Sequence, residues 1–240
     1  MKQLKIPVIY ALVIMISVTG CIFDLVNTVQ GNGNVVTDKR HTEPFTRLKA
    51  GAGLKVYITQ GEEESIKVIA DENLMEVIVT ECSDGTLKVY AKANIRNAKS
   101  KEVHIVYSDM DVLSVSSACH LKGENKMVTD EIEINTSNGG DLELEIDAQM
   151  IDMNVSSGGK AWLKGNTEKL VADASSGGIL RARELITQDA NVSASSGGNA
   201  RIYIEGKADL RASSGGNIRY SGKASIKNIS SSSGGNIHRD

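Results

Sequence analysis

Over the second half of the chain, apolar and polar positions alternate in short bursts, and each burst ends on a corner of small residues. The positions five, three and one before the corner read Ile132, Ile134, Thr136; Ile151, Met153, Val155; Leu170, Ala172, Ala174; Ala190, Val192, Ala194; and Ala208, Leu210, Ala212. The residues between them are mostly polar, among them Glu133, Asn135, Asp152, Asn154, Asp173, Asn191, Asp209 and Arg211. A period of two is that of a strand with one buried face. Past each corner a second alternating run begins, with Leu121, Leu142, Ala161, Leu180, Ala200, Ile218 and Ile237 at its first apolar position.

The corners themselves recur. Ser-Ser-Gly-Gly starts at Ser156, Ser175, Ser195, Ser213 and Ser232, with the variants Ser137-Asn138-Gly139-Gly140 and Ser116-Ser117-Ala118-Cys119 before them. Successive starts are 21, 19, 19, 20, 18 and 19 residues apart. Self-similarity at this length marks a solenoid whose coils cannot bury their apolar sides alone and therefore stack. About 19 residues at roughly 3.3 Å each give a circuit of roughly 60 Å, enough for two or three short parallel strands. Parallel strands joined by successive crossovers wind right-handed. The sequence thus predicts an all-β fold over 116–240, a right-handed single-stranded parallel β-helix. Continued parity points the second corner residue inward (Ser117, Asn138, Ser157, Ser176, Ser196, Ser214, Ser233), where hydroxyls would bond along a column, and leaves the positive φ of the corner to the two glycines. Before Ser232 the pattern reads Lys227, Ile229, Ser231, which predicts a distorted last coil.

The segment 45–115 also alternates, at Leu54, Val56, Ile58; Ile66, Val68, Ala70; Leu87, Val89, Ala91; and Val103, Ile105, Tyr107, with turn signals at 51–53, 61–64 and 83–85. The spacing fits either further coils or a separate capping sheet. A cover is required, because an open parallel edge invites fibre growth.

The first 20 residues have the order of a lipoprotein signal peptide: Lys2 and Lys5, an apolar run from Ile6 to Val18, then Val18-Thr19-Gly20-Cys21. This predicts cleavage before Cys21 and its acylation, which anchors the protein to a membrane; each buried CH₂ of the acyl chains contributes about 0.8 kcal/mol. Residues 21–44, including Gly31-Asn32-Gly33-Asn34, read as anchor and tether. The lipid anchor places the protein in the cell envelope, on the outer membrane, facing either the periplasm or the cell surface.

A formal net charge of −3 argues against bulk nucleic-acid binding. Along the predicted axis the charge is uneven: residues 116–155 hold two basic and nine acidic side chains, and residues 195–240 seven basic and three acidic. Such an axial dipole favours head-to-tail self-association. Apart from Cys21, only Cys82 and Cys119 remain, and export would permit a disulfide or leave two buried thiols.

The signal, the stretch Phe45-Thr46-Arg47-Leu48 … Leu54-Lys55-Val56-Tyr57-Ile58-Thr59-Gln60-Gly61 … Leu87-Lys88-Val89, and the Ser-Ser-Gly-Gly-Asn corners together resemble the head GIN domain family of putative autotransporter adhesins. The likeness runs from about Phe45 to the C-terminus. It implies an exported or lipid-anchored β-helical protein, without catalytic residues that could be transferred to this chain; no cofactor is expected.

In a solenoid one position per coil becomes a column. One outward column reads Lys122, Glu143, Trp162, Arg181, Arg201, Arg219, His238, and the next reads Glu124, Glu145, Lys164, Arg183, Tyr203, Ser221. Coils about 4.8 Å apart would make the arginines a like-charge stripe, and aromatic faces beside it can stack on sugars. The candidate binding residues are therefore Trp162, Lys164, Arg181, Arg183, Arg201, Tyr203 and Arg219, on a face suited to an acidic polysaccharide or to an envelope protein. The expected role is a non-enzymatic, adhesin-like scaffold. The alternative is a glycan-active lyase or hydrolase, for which the outward groups Glu133 with Asp152, and His120 with Asp141 and Lys160, would supply acid and base. Neither calcium-repeat nor zinc spacing is present, so no metal site is expected.

Overall fold

The computed structural model describes residues 28–240; the predicted signal peptide and Cys21 lie outside the described residues. The fold is all-β, with parallel coils of about 19 residues stacked into a solenoid of about seven turns.

The expected interior file is present. Leu87, Leu48, Leu113, Ile134, Met153, Ala172, Val192, Leu210 and Ile229 are consecutive partners in the parallel ladder. All are buried except Ile229, in the last coil, which is 53% exposed. A second file past the corner runs through Val103, Val56, Leu121, Leu142, Ala161, Leu180, Ala200, Ile218 and Ile237. Around Ala161 large residues of the neighbouring coils, Leu142 and Leu180, face a small one, an alternation that suits close packing in a narrow interior. In the last coil the register slips between Ala208 and Asp209, where Ile226 and Asn228 are the partners and Lys227 is skipped.

The corners depart from the expected arrangement. The second residue points outward: Ser157, Ser176, Ser196 and Ser214 are exposed, with φ of 47–49°. Each is followed by a glycine with φ near 72–74°, and the fourth residue donates back to the first, as Gly159 N does to Ser156 O at 2.8 Å. Two successive left-handed residues closed by an i to i+3 bond form a type I′ turn. The parity carried across the corner was wrong because such a turn reverses which side the chain presents. The second glycine serves another need: a Cβ on Gly178 would lie 2.2 Å from Val155 O of the preceding coil. Corner carbonyls keep the ladder intact, since Gly158 N donates to Ser176 O and Gly177 N to Ser196 O.

The segment 45–115 combines both expected forms. Arg47–Ala50 and Lys55–Gln60 make a coil directly below Val112–Val115 and His120–Gly123, with a corner at Gly51-Ala52-Gly53 that lacks serine. Thr86–Ala91 and Lys101–Tyr107 stack beneath that coil, so the stacking order differs from the chain order. Antiparallel strands then close this end: Ser65–Asp71 on Lys101–Tyr107, Ile78–Ser83 on Thr86–Ala91, and Val35–Arg40 on Ser65–Asp71.

Part of the stretch expected to be tether is therefore built into the domain. Thr28–Gln30 pairs with Asn94–Arg96, and the buried Asp71 carboxylate accepts hydrogen bonds from Ser100 N, Gly33 N and Lys99 N. These donors hold its carboxyl below the ordinary carboxylate range, Ser100 most strongly. The glycines that suggested flexibility allow close approach: a Cβ on Gly31 would lie 2.2 Å from Asp71 Oδ2. Cys82 and Cys119 are both free, and burial pushes the Cys119 thiol up to about 12.

Candidate functional site

The outward column is confirmed in register: Tyr57, Lys122, Glu143, Trp162, Arg181, Arg201, Arg219 and His238 are successive partners across neighbouring coils. Strand alternation aims all of them at solvent, because their neighbours on either side fill the core. Arg181 lies over Trp162 with its Cζ 5.1 Å from the ring centroid. Among the described residues, Arg201 and Arg219 are in no ion pair and both are exposed.

Around Trp162 the surface sinks into a groove of about 690 Å³, lined by Lys122, Glu124, Glu143, Glu145, Trp162, Lys164, Arg181, Arg183, Glu184 and Arg201 together with Gly123, Asn125, Leu144 and Leu163. The concavity arises where the repeat is irregular. On one rim the chain turns out through Glu124-Asn125-Lys126, inside the 21-residue interval. On the other, Trp162 pairs with Arg181 but Lys164 pairs with Glu184, and Ala182 pairs with Ile202 but Ile186 with Tyr203. This bulge falls within the 20-residue interval that follows Ser175. Extra residues in a strand bend it and re-aim its side chains, which is how bulges shape binding sites.

The seven candidate residues divide three ways. Trp162, Arg181 and Arg201 lie in the groove with free or stacking groups, and Arg219 extends their file beyond it. Lys164 and Arg183 also line the groove, but their charges are engaged: Lys164 Nζ is 3.0 Å from Glu145 and Arg183 is 2.8 Å from Asp240. Tyr203 lies outside it and donates its hydroxyl to Glu205, which raises the phenol's pKa and lowers that of Glu205. Lys122, Glu124, Glu143 and Glu145, read in the outward columns but not among the candidate binding residues, share the groove, as does Glu184, which the columns did not include. The two long intervals between corners were the signal that could have located it.

The acidic residues are not equivalent. Glu145 is held below the usual carboxylate range, first by the hydrogen bond and charge of Lys164 and then by Lys126 at 3.8 Å. Asp147 is likewise lowered by Lys126, 2.9 Å away, and by Asn166, and Lys126 is correspondingly raised. Glu143 is half-buried and its carboxylate is, among the described residues, in no hydrogen bond or ion pair.

The groups considered for catalysis are adjacent in register but lie outside the groove. Glu133 neighbours Asp152, and His120 Nδ1 is 3.7 Å from Asp141, which in turn neighbours Lys160. Among the described residues no three His, Cys, Asp or Glu side chains converge as a metal site.

The family described as "Putative auto-transporter adhesin, head GIN domain" matches residues 44–224. No protein of curated function matches the sequence significantly. Among solved structures, a putative adhesin from Bacteroides fragilis is similar at a TM-score of 0.81 and 20% identity, over 88% of this chain and 100% of the other. A putative adhesin from Parabacteroides merdae (TM-score 0.68, 17% identity, 89% and 99% covered) is also similar. So is a protein from Parabacteroides distasonis titled a putative lipid binding protein (TM-score 0.68, 18% identity, 89% and 99% covered). At these identities the likeness establishes the shared fold.

Proposed function

We propose that this chain, which belongs to the head GIN domain family of putative auto-transporter adhesins, is a non-enzymatic, lipid-anchored scaffold of the outer membrane that binds an acidic polysaccharide along its Arg181–Arg201–Arg219 file. The observation that carries the reading is the in-register run of these arginines, none of them in an ion pair among the described residues, beginning at a partly exposed tryptophan in a groove. Like charges on adjacent strands destabilise a sheet. Anionic groups spaced along a polymer would relieve that repulsion, and the sugar rings would find an apolar platform at Trp162. The fixed β-scaffold holds these groups at a constant rise of about 4.8 Å per coil, so little ordering remains for binding to supply.

Envelope location is in keeping with an adhesin family, and acylation at Cys21 with the Thr19-Gly20-Cys21 signal. The reading is tested by titrating the protein with hyaluronan, an acidic polysaccharide, and comparing Arg201→Glu plus Arg219→Glu. Binding abolished in the double variant supports it; unchanged binding removes it.

A further inference from the structure

The groove carries both signs of charge, and they are sorted along the solenoid axis. Glu143, Trp162, Arg181 and Arg201 are successive partners, so a carboxylate stands one coil to one side of the indole and guanidinium groups to the other, none of them in an ion pair among the described residues. Arg181 belongs to the coil on the far side from Glu143 and covers the ring face turned toward it. The opposite face therefore looks toward Glu143. An aromatic face and a free carboxylate on adjacent rungs are the two elements that attract an ammonium group. Lys122, the partner of Glu143 on its other side, forms no ion pair with it among the described residues. Glu145, by contrast, is already neutralised by Lys164 and Lys126.

Resting on the groove reading above, we infer that the ligand is a glycan carrying free amino groups as well as acidic groups, with an ammonium held between Glu143 and Trp162 and a carboxylate, sulfate or phosphate at Arg201 and Arg219. Coils rise about 4.8 Å each, so the gap between Glu143 and Trp162 lies about 12 Å from Arg201. That span suits charges on neighbouring sugars of one chain. A single zwitterionic lipid headgroup, whose phosphate and ammonium are separated by only a two-carbon linker, does not reach across it. The acidic half of the groove also acts as a filter: a purely anionic polymer would bring its own charge against Glu143, and like-charge juxtaposition discriminates between partners.

The test uses the mature chain and four probes: hyaluronan, partially N-deacetylated hyaluronan (which bears both signs), chitosan, and phosphatidylcholine vesicles. Calorimetric titration is expected to rank the N-deacetylated polymer about tenfold above hyaluronan, a difference of about 1.4 kcal/mol. Glu143→Gln should remove that preference, weakening the N-deacetylated polymer and strengthening hyaluronan, and Arg201→Glu plus Arg219→Glu should abolish binding of both. Equal affinity of the wild type for the two hyaluronans would overturn this inference and leave the acidic-polysaccharide reading standing. Absence of binding to every polysaccharide would overturn both. Vesicle binding lost in Glu143→Gln would replace the glycan with a lipid headgroup. Glu143→Gln is outward-facing, and an unchanged melting temperature confirms that its effect is not one of folding.

Discussion

Arg181 sits over the indole of Trp162, 5.1 Å from the ring centroid, on the next coil of the same outward file. A cation and an aromatic face in an exposed setting attract by about 0.5–1 kcal/mol. The pair therefore adds little to the fold and much to the shape of the groove, because it holds one ring face covered and orients the other.

Trp162→Ala is expected to lower the melting temperature by only about 2–4 °C, the shift that about 1 kcal/mol produces in a domain of this size. Polysaccharide binding should be lost in the same variant and largely retained in Trp162→Phe. Differential scanning fluorimetry alongside titration checks both halves of the statement.

Adjacent glycines in one corner should respond differently to the same methyl group. Gly177 has φ +74° and open space around its Cβ position, so Gly177→Ala should cost about 1–2 kcal/mol, the penalty for a left-handed residue. Gly178 has Val155 O in that position, so Gly178→Ala should cost about 3 kcal/mol or more. Ser176→Gly, which removes left-handed strain from an exposed residue, should stabilise. Urea unfolding of the three variants gives the order directly.

Position within the interior file sets the value of an isoleucine. Ile134 is fully buried between Leu113 and Met153, and Ile134→Ala should cost about 2–5 kcal/mol. Ile229 is 53% exposed in the last coil, and Ile229→Ala should cost less than about 1 kcal/mol. Comparable losses at both sites in chemical denaturation would contradict the stacking order.

These contrasts mark what could be read from the chain. Period-two alternation specifies which side chains of a straight strand are buried, so the files through Met153 and Leu142 were legible down to the residue. Parity stops being informative at a type I′ turn, which is why Ser157 and Ser176 were placed inside. The antiparallel cap was not legible either, because pairing such as Val35–Arg40 with Ser65–Asp71 depends on tertiary contacts, among them the buried Asp71. In the site, the column Glu143–Trp162–Arg181–Arg201 followed from spacing alone, whereas the engagement of Lys164 by Glu145 required the geometry of long side chains.

Acid should loosen the end that Asp71 holds. Its carboxyl is lowered by the backbone donors Ser100, Gly33 and Lys99 from an unfolded value near 3.9. A lowered pKa in the folded state means that the stabilisation is fully present above the unfolded value and is lost as pH falls through the folded one. Asp71→Asn should therefore be less stable than wild type at pH 7, with the gap narrowing at an acid pH below the unfolded value. Thermal unfolding at both pH values checks this, and a gap of equal size at each would contradict it.

The most direct test of the functional account is hydrogen exchange of the mature protein with and without N-deacetylated hyaluronan. Protection confined to the strands that carry Lys122, Glu143, Trp162, Arg181 and Arg201 is the predicted result. Protection on another face of the solenoid, or none at saturating polymer, would contradict it.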